Sequence, residues 1–78
     1  MRTLPEIARD VLNDPTLKGN ARTWSTPYLN ALLFCYPGVT QYGCDRVDSI
    51  IAYALANLTY WRGDKAKSIK TELKGHLA

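Results

Sequence analysis

The chain has 78 residues, is 46% hydrophobic and 22% charged, and carries a formal net charge of +3. A single domain is the only size class that fits, with little apolar area to spare for an enzyme cavity, and the balanced composition argues against a disordered chain. The positive excess is mild and leans toward residues 45–78, short of a dedicated nucleic-acid binder although a local patch would suffice.

The first predicted element is a helix over 3–13. Thr3-Leu4-Pro5-Glu6 reads as a capping box, and Pro5 is tolerated in a first turn because its missing N–H has no helical partner there. Leu4, Ile7, Ala8, Val11 and Leu12 form one apolar stripe, Glu6 and Arg9 are spaced for an i,i+3 pair, and Asn13-Asp14-Pro15 ends the helix. Residues 15–25 show no sustained period and contain the turn signal Gly19-Asn20. They read as a loop anchored by Leu17 and Trp24.

A second helix is predicted at 26–36, with Thr26 as cap, Pro27 in the first helical position and Pro37-Gly38 as the stop. Leu29, Leu32, Leu33 and Tyr36 share a face, while Ala31, Phe34 and Cys35 leave few polar positions elsewhere. Such a helix is either a buried partner of the third helix or part of a contact surface, and it leaves self-association open. Residues 37–44 read as a loop with glycines at both ends.

The third helix, predicted at 45–62, is expected to be the long central element. Asp45 is placed as its cap and Asp48 adds negative charge where the helix dipole favours it. Val47, Ile50, Ile51, Ala54, Leu55, Leu58 and Trp61 fall within a ~140° sector at ~100° per residue. Gly63 suits a left-handed C-cap, and Asp64 is placed as cap of a fourth helix at 64–77. There Ala66, Ile69, Leu73 and Leu77 recur at helical spacing and face inward, leaving Lys65, Lys67, Lys70 and Lys74 on the flanks. The expected fold is all-α, a compact single-domain bundle of about four short helices spanning 1–78.

Met1-Arg2-Thr3 leads straight into a capped polar helix, so no signal peptide is expected, and no run approaches the ~18–20 apolar residues of a membrane span. A cytoplasmic protein without membrane contact follows. Cys35 reads as a small apolar core residue and Cys44 as a reduced thiol near a helix start, with a structural disulfide the less favoured alternative.

YLNAL (28–32), YGCD (42–45), the run SIIAYALANLTYWRGDKAKSIKTELK (49–74) and the opening LPEIARDVL resemble a group of small bacteriophage and plasmid proteins, especially of Gram-positive bacteria. In that group a Y-G-x-D start, a "LAN" step, a "WRG" turn and an "IKxEL" helix recur in this order. The match thins across 15–24. The group has no established activity, so the resemblance implies context only: a mobile-element accessory protein acting in a host cell. Small phage proteins of this kind often bind and block a host protein, CRISPR effectors included.

Two functions compete. The first is protein–protein binding, as an inhibitor of host defence or metabolism. Its physical motive is the aromatic load of five Tyr, two Trp and one Phe. Tyr53 and Tyr60, seven apart beside the small residues Ser49 and Ala56, join Trp61 and Arg62 as the candidate surface, since aromatics and arginine dominate interface hot spots. Ordinary packing of Tyr53 and Tyr60 is the competing explanation.

The second is nucleic-acid binding by a helix-turn-helix-like pair, with Lys65, Lys67, Lys70 and Lys74 on phosphates. Lysines position a protein on a backbone, but the fourth helix lacks the Arg, Asn or Gln that read bases. The same lysines with Arg62 would equally suit an acidic partner surface, and a solvated basic face is the plain alternative.

An enzyme is not expected: His76 is the sole histidine and lacks an evident orienting partner near the C-terminus. Cys35, Cys44 and His76 do not have zinc-ligand spacing, so neither metal nor cofactor is expected. Asp45 with Asp48 is better explained by capping than by metal binding.

Overall fold

The computed structural model describes residues 2–43 and 45–77. Four helices and a minimal hairpin follow one another in it. α1 (Leu4–Leu12) forms where its signals stand. The Glu6 amide donates to Thr3 Oγ1 at 3.3 Å and the Thr3 amide donates to the Glu6 carboxylate at 2.9 Å, which closes the capping box in both directions. The bond from the Thr3 amide, and then one from the Thr3 hydroxyl at 2.8 Å, hold the Glu6 carboxyl below its ordinary pKa. The carboxylate therefore serves Thr3 rather than Arg9. Ile7, Ala8 and Val11 are fully buried.

The next element departs from expectation. α2 spans Gly19–Leu32, so it opens seven residues before the expected Thr26 cap and takes Pro27 into its interior. Proline there has no N–H for the carbonyl four residues back. The turn ahead of it is braced by hydroxyls instead: Ser25 Oγ donates to the Ala21 carbonyl at 2.6 Å, and Thr26 Oγ1 to the Arg22 carbonyl. Arg22 explains the early start. Its Nε donates to the Leu17 carbonyl at 2.6 Å, and its Nη2 to the carbonyls of Leu12 and Asp14 at 3.0 Å each. One guanidinium thus stops the last turn of α1, shapes the connection and pins the first turn of α2. Leu17 is buried as expected, but Trp24 is 58% exposed and anchors nothing.

α2 also stops early. Phe34 N donates to Ala31 O and Cys35 N to Leu32 O, three-residue spacings that tighten the chain out of the helix, before Pro37 excludes helical geometry at Tyr36. Tyr36 is exposed rather than packed. The segment expected to be a plain loop then contains β1 (Gln41–Tyr42), paired antiparallel with β2 (Asp45–Arg46) in the register Gln41↔Arg46 and Tyr42↔Asp45. Cys44 lies outside the described residues. Cys35 is buried, with Sγ 3.3 Å from the Ala31 carbonyl, and burial pushes its thiol pKa up.

α3 runs only over Val47–Asn57, 11 residues, and the longest helix is α2 with 14. Asp45 does not cap α3. It is engaged in the hairpin, and Arg46 occupies the cap position with no side-chain hydrogen bond. At the other end the Thr59 hydroxyl donates at 2.7 Å to the Ala56 carbonyl, the acceptor that a continuing helix would offer to the Tyr60 amide, while the Asn57 side-chain amide donates back to the Tyr53 carbonyl at 2.8 Å. Residues 58–63 turn, and α4 (Asp64–Gly75) follows. Gly63 adopts the expected positive φ, at 115°, but as the N-cap of α4, with Asp64 already helical.

Packing nevertheless follows the predicted apolar set. Val47, Ile50, Ile51, Ala54, Leu58 and Trp61 are all buried, the last two from the turn beyond α3. They meet Ile7 and Val11 of α1, Leu29 and Leu32 of α2, and Ile69 and Leu73 of α4 in one core. The molecule measures 30 × 24 × 19 Å. It is all-α in substance, with α2 against α3 as the most extensive contact. No helix among the described residues is long and apolar enough to cross a membrane.

Candidate partner-binding surface

Every buried side-chain nitrogen or oxygen among the described residues has a hydrogen-bond partner, so groups free to meet a ligand lie at the surface. Two kinds of side chain dominate there. Charges border α1 and α4; aromatics border α2, α3 and the segment between them.

The charged border is largely self-satisfied. Arg2 sits between Asp10, at 2.8 Å, and Glu72, which it meets through both Nε and Nη2. Lys65 Nζ reaches the other oxygen of Asp10 at 2.8 Å. These contacts hold the Asp10 carboxyl below its ordinary pKa, Lys65 contributing most and Arg2 next, and Arg2 does the same for Glu72. Lys70 Nζ donates to the Trp61 carbonyl at 2.6 Å and more weakly to Thr59 O at 3.4 Å, covering carbonyls that the end of α3 leaves without helical donors. Of the four lysines grouped by sequence, Lys65 and Lys70 thus have intramolecular roles, while Lys67 and Lys74 stand exposed. Arg62 is exposed beside them. The four do not form one row of free phosphate contacts.

The aromatic border is different. Tyr53 is 52% and Tyr60 81% exposed, so ordinary packing does not account for them. Tyr53 is steadied by Tyr28 of α2, with ring centroids 5.5 Å apart and planes tilted by 35°. Ala56 is exposed between the two tyrosines and Ser49 is half-buried. Trp61 does not belong to this surface. It is buried, and its Nε1 donates at 3.0 Å to Thr16 Oγ1, whose hydroxyl donates to Asp14 at 2.7 Å. A tryptophan body fills core volume and its polar edge is matched, which is a structural role. Arg62, next in the chain, faces solvent without it.

Sequence reasoning missed a second aromatic group. Phe34, Tyr36, Val39 and Tyr42 are all substantially exposed, and Phe34 stacks on Tyr42 at 6.2 Å. The available signal was Pro37-Gly38: it ends helical geometry at Tyr36 and frees that side chain from the face it was assigned. Of these, Tyr36 and Val39 border a cleft of about 480 Å³ whose other apolar walls come from Leu4, Cys35 and Val47. His76 lines the cleft too. It does have an orienting partner, since Nε2 lies 2.8 Å from the Arg2 carbonyl and must carry the proton there. Among the described residues no cluster of His, Cys, Asp and Glu is arranged to hold a metal.

Comparison of the chain with family models, with curated proteins and with solved structures finds no match.

Proposed function

We propose that the chain is a protein-binding module that docks a partner through its exposed aromatic side chains, Tyr53 and Tyr60 foremost. One observation carries this reading: six of the eight aromatic residues, Trp24, Phe34, Tyr36, Tyr42, Tyr53 and Tyr60, are between 42% and 81% exposed. An aromatic side chain buries roughly 150–250 Å² when packed. A domain this short gains much from each such burial, so leaving most of them in water is a marked departure from a stability optimum. Exposed tyrosines give a partner large contact area at small entropic cost, and the Tyr28–Tyr53 contact holds one of them in place before binding. The resemblance to mobile-element proteins makes a host protein the partner class, with an inhibitor of a defence effector the first form to test.

The nucleic-acid reading has less support, because Lys65 is already paired with Asp10 and Lys70 gives two of its three ammonium hydrogens to carbonyls of the fold. It predicts a log–log salt slope near −2 to −3 from Arg62, Lys67 and Lys74. Docking through the aromatics predicts weak salt dependence.

The test is to capture and identify partners from host extract, purify one, and measure its affinity for the wild type and for Tyr53→Ala/Tyr60→Ala. Both side chains are largely exposed, so the variant keeps its circular dichroism and shifts its melting temperature by no more than about 4–8 °C. Affinity falls at least tenfold, the effect of removing a single interface residue worth about 1.4 kcal/mol. A folded double variant with unchanged affinity for every purified partner removes the proposal.

A further inference from the structure

A second surface feature is independent of the aromatic docking reading. The turn after α3 and the first turns of α4 border a shallow, open recess of about 350 Å³ lined by Thr59, Trp61, Arg62, Gly63, Lys67 and Lys70. Three of its six lining residues are cations and none is a carboxylate. Elsewhere carboxylates sit against some of the cations: Arg2 meets Asp10 and Glu72, Lys65 meets Asp10, and Arg46 meets Asp48.

Lys70 is the fixed point. The Trp61 carbonyl at 2.6 Å and the Thr59 carbonyl at 3.4 Å take two of its ammonium hydrogens and leave a third unclaimed. Partial burial, and then the like charges of Arg62 and Lys74, pull its pKa below the ordinary lysine value. Coverage of the carbonyls after α3 accounts for Lys70. It does not account for Arg62 and Lys67 lining the same recess, where the like charge of Arg62 already bears on Lys70.

We propose that this recess is a binding site for a phosphate group, carried as inorganic phosphate or as a small phosphomonoester, held by Arg62, Lys67 and Lys70. A phosphoryl dianion presents several acceptor oxygens to one planar guanidinium fork and two ammonium groups, and charge-assisted hydrogen bonds of this kind are the strong ones. About 350 Å³ of open concavity leaves room for the phosphate and a small attached body that stays in contact with solvent. Trp61 borders the recess from a fixed position, since its side chain is buried and its indole N–H is held on Thr16.

The experiment follows backbone amide shifts by NMR while inorganic phosphate, glycerol 3-phosphate or a short single-stranded oligonucleotide is added at constant ionic strength. Inorganic phosphate or glycerol 3-phosphate gives saturable shifts concentrated in residues 59–70, and Arg62→Gln/Lys67→Gln weakens that binding at least tenfold without changing the fold. The charge-matched control Arg9→Gln/Lys18→Gln, at exposed positions distant in sequence, leaves it unchanged. Equal weakening by the control reduces the effect to net charge and overturns the site. So do shifts that never saturate, or an oligonucleotide that binds while both small phosphates do not. Tighter binding of glycerol 3-phosphate than of inorganic phosphate identifies the monoester as the better ligand; the reverse identifies the free ion.

Discussion

Where α1 lies against α4, the molecule meets water with matched charges: Asp10 between Arg2 and Lys65, Glu72 on Arg2. Where α2, α3 and the segment between them reach the surface, it meets water with aromatic rings, Tyr53, Tyr60, Phe34, Tyr36 and Tyr42 among them. The first border joins the opening residues to the last helix and contributes to the fold's own stability. The second contributes little to it, since a ring half in water gives up much of its transfer free energy. The contrast separates side chains that hold the domain together from side chains that another molecule could use, and it does so without reference to any known relative.

The comparison can be broken or sharpened in order of expected effect. Leu58→Ala tests the core common to both borders. Leu58 is wholly buried in the turn beyond α3, and its truncation costs about 2–5 kcal/mol, measured by chemical denaturation. That is a large share of the ~5–15 kcal/mol typical of a domain. A loss under about 1 kcal/mol would mean that this turn is not part of the core. Gly63→Ala follows, at about 1–3 kcal/mol, because φ of 115° is strained for any residue with a Cβ, even though the site has open space. A loss within error would show that the turn between α3 and α4 relaxes freely.

The charged border has its own signature in acid. Asp10 and Glu72 titrate below their ordinary values in the folded chain, as do Glu6 and Asp14 through hydrogen bonds from Thr3 and Thr16. Carboxyl groups depressed on folding bind fewer protons folded than unfolded. Their stabilisation is complete above the unfolded carboxylate pKa near ~4 and declines as pH falls through the lower folded values. Arg2→Gln should cost about 1 kcal/mol at neutral pH and flatten this acid limb, read from urea midpoints between about pH 2 and pH 6. An unchanged limb would show that the border stabilises nothing. Tyr53→Ala/Tyr60→Ala gives the smallest stability change, within about 1 kcal/mol, and a larger loss would move Tyr53 and Tyr60 from the partner-facing group to the structural one.

How much was legible in the sequence varied with how local the cause was. The α1 cap needs only Thr3 and Glu6, three residues apart, and it formed as read. The α4 face of Ala66, Ile69 and Leu73 needs only helical spacing, and it is buried. The start of α2 was not legible from Thr26-Pro27, a good local start signal. It was overruled by Arg22, whose three backbone acceptors lie five to ten residues away, and by Ser25, buried against the core with its hydroxyl on Ala21 O. Trp61 shows the same limit within the candidate surface. Its spacing grouped it with both the core and the exposed aromatics, and the hydrogen bond to Thr16 across 45 positions decided for the core. The lysines divide likewise: their flank was readable, but the engagement of Lys65 by Asp10 and of Lys70 by Trp61 O depends on which ends meet.

By itself the sequence determined the helical class, the capped first helix, the turn at Gly63 and the apolar set from Val47 to Trp61, because periodicity and short-range hydrogen bonding act within a few residues. Tertiary structure alone decided where α2 begins, how short α3 is, which aromatics stay in water and which cations remain unpaired around the Arg62–Lys70 recess. Those outcomes depend on competition for the same backbone carbonyls and carboxylates between groups far apart in the chain, and such competition has no local period.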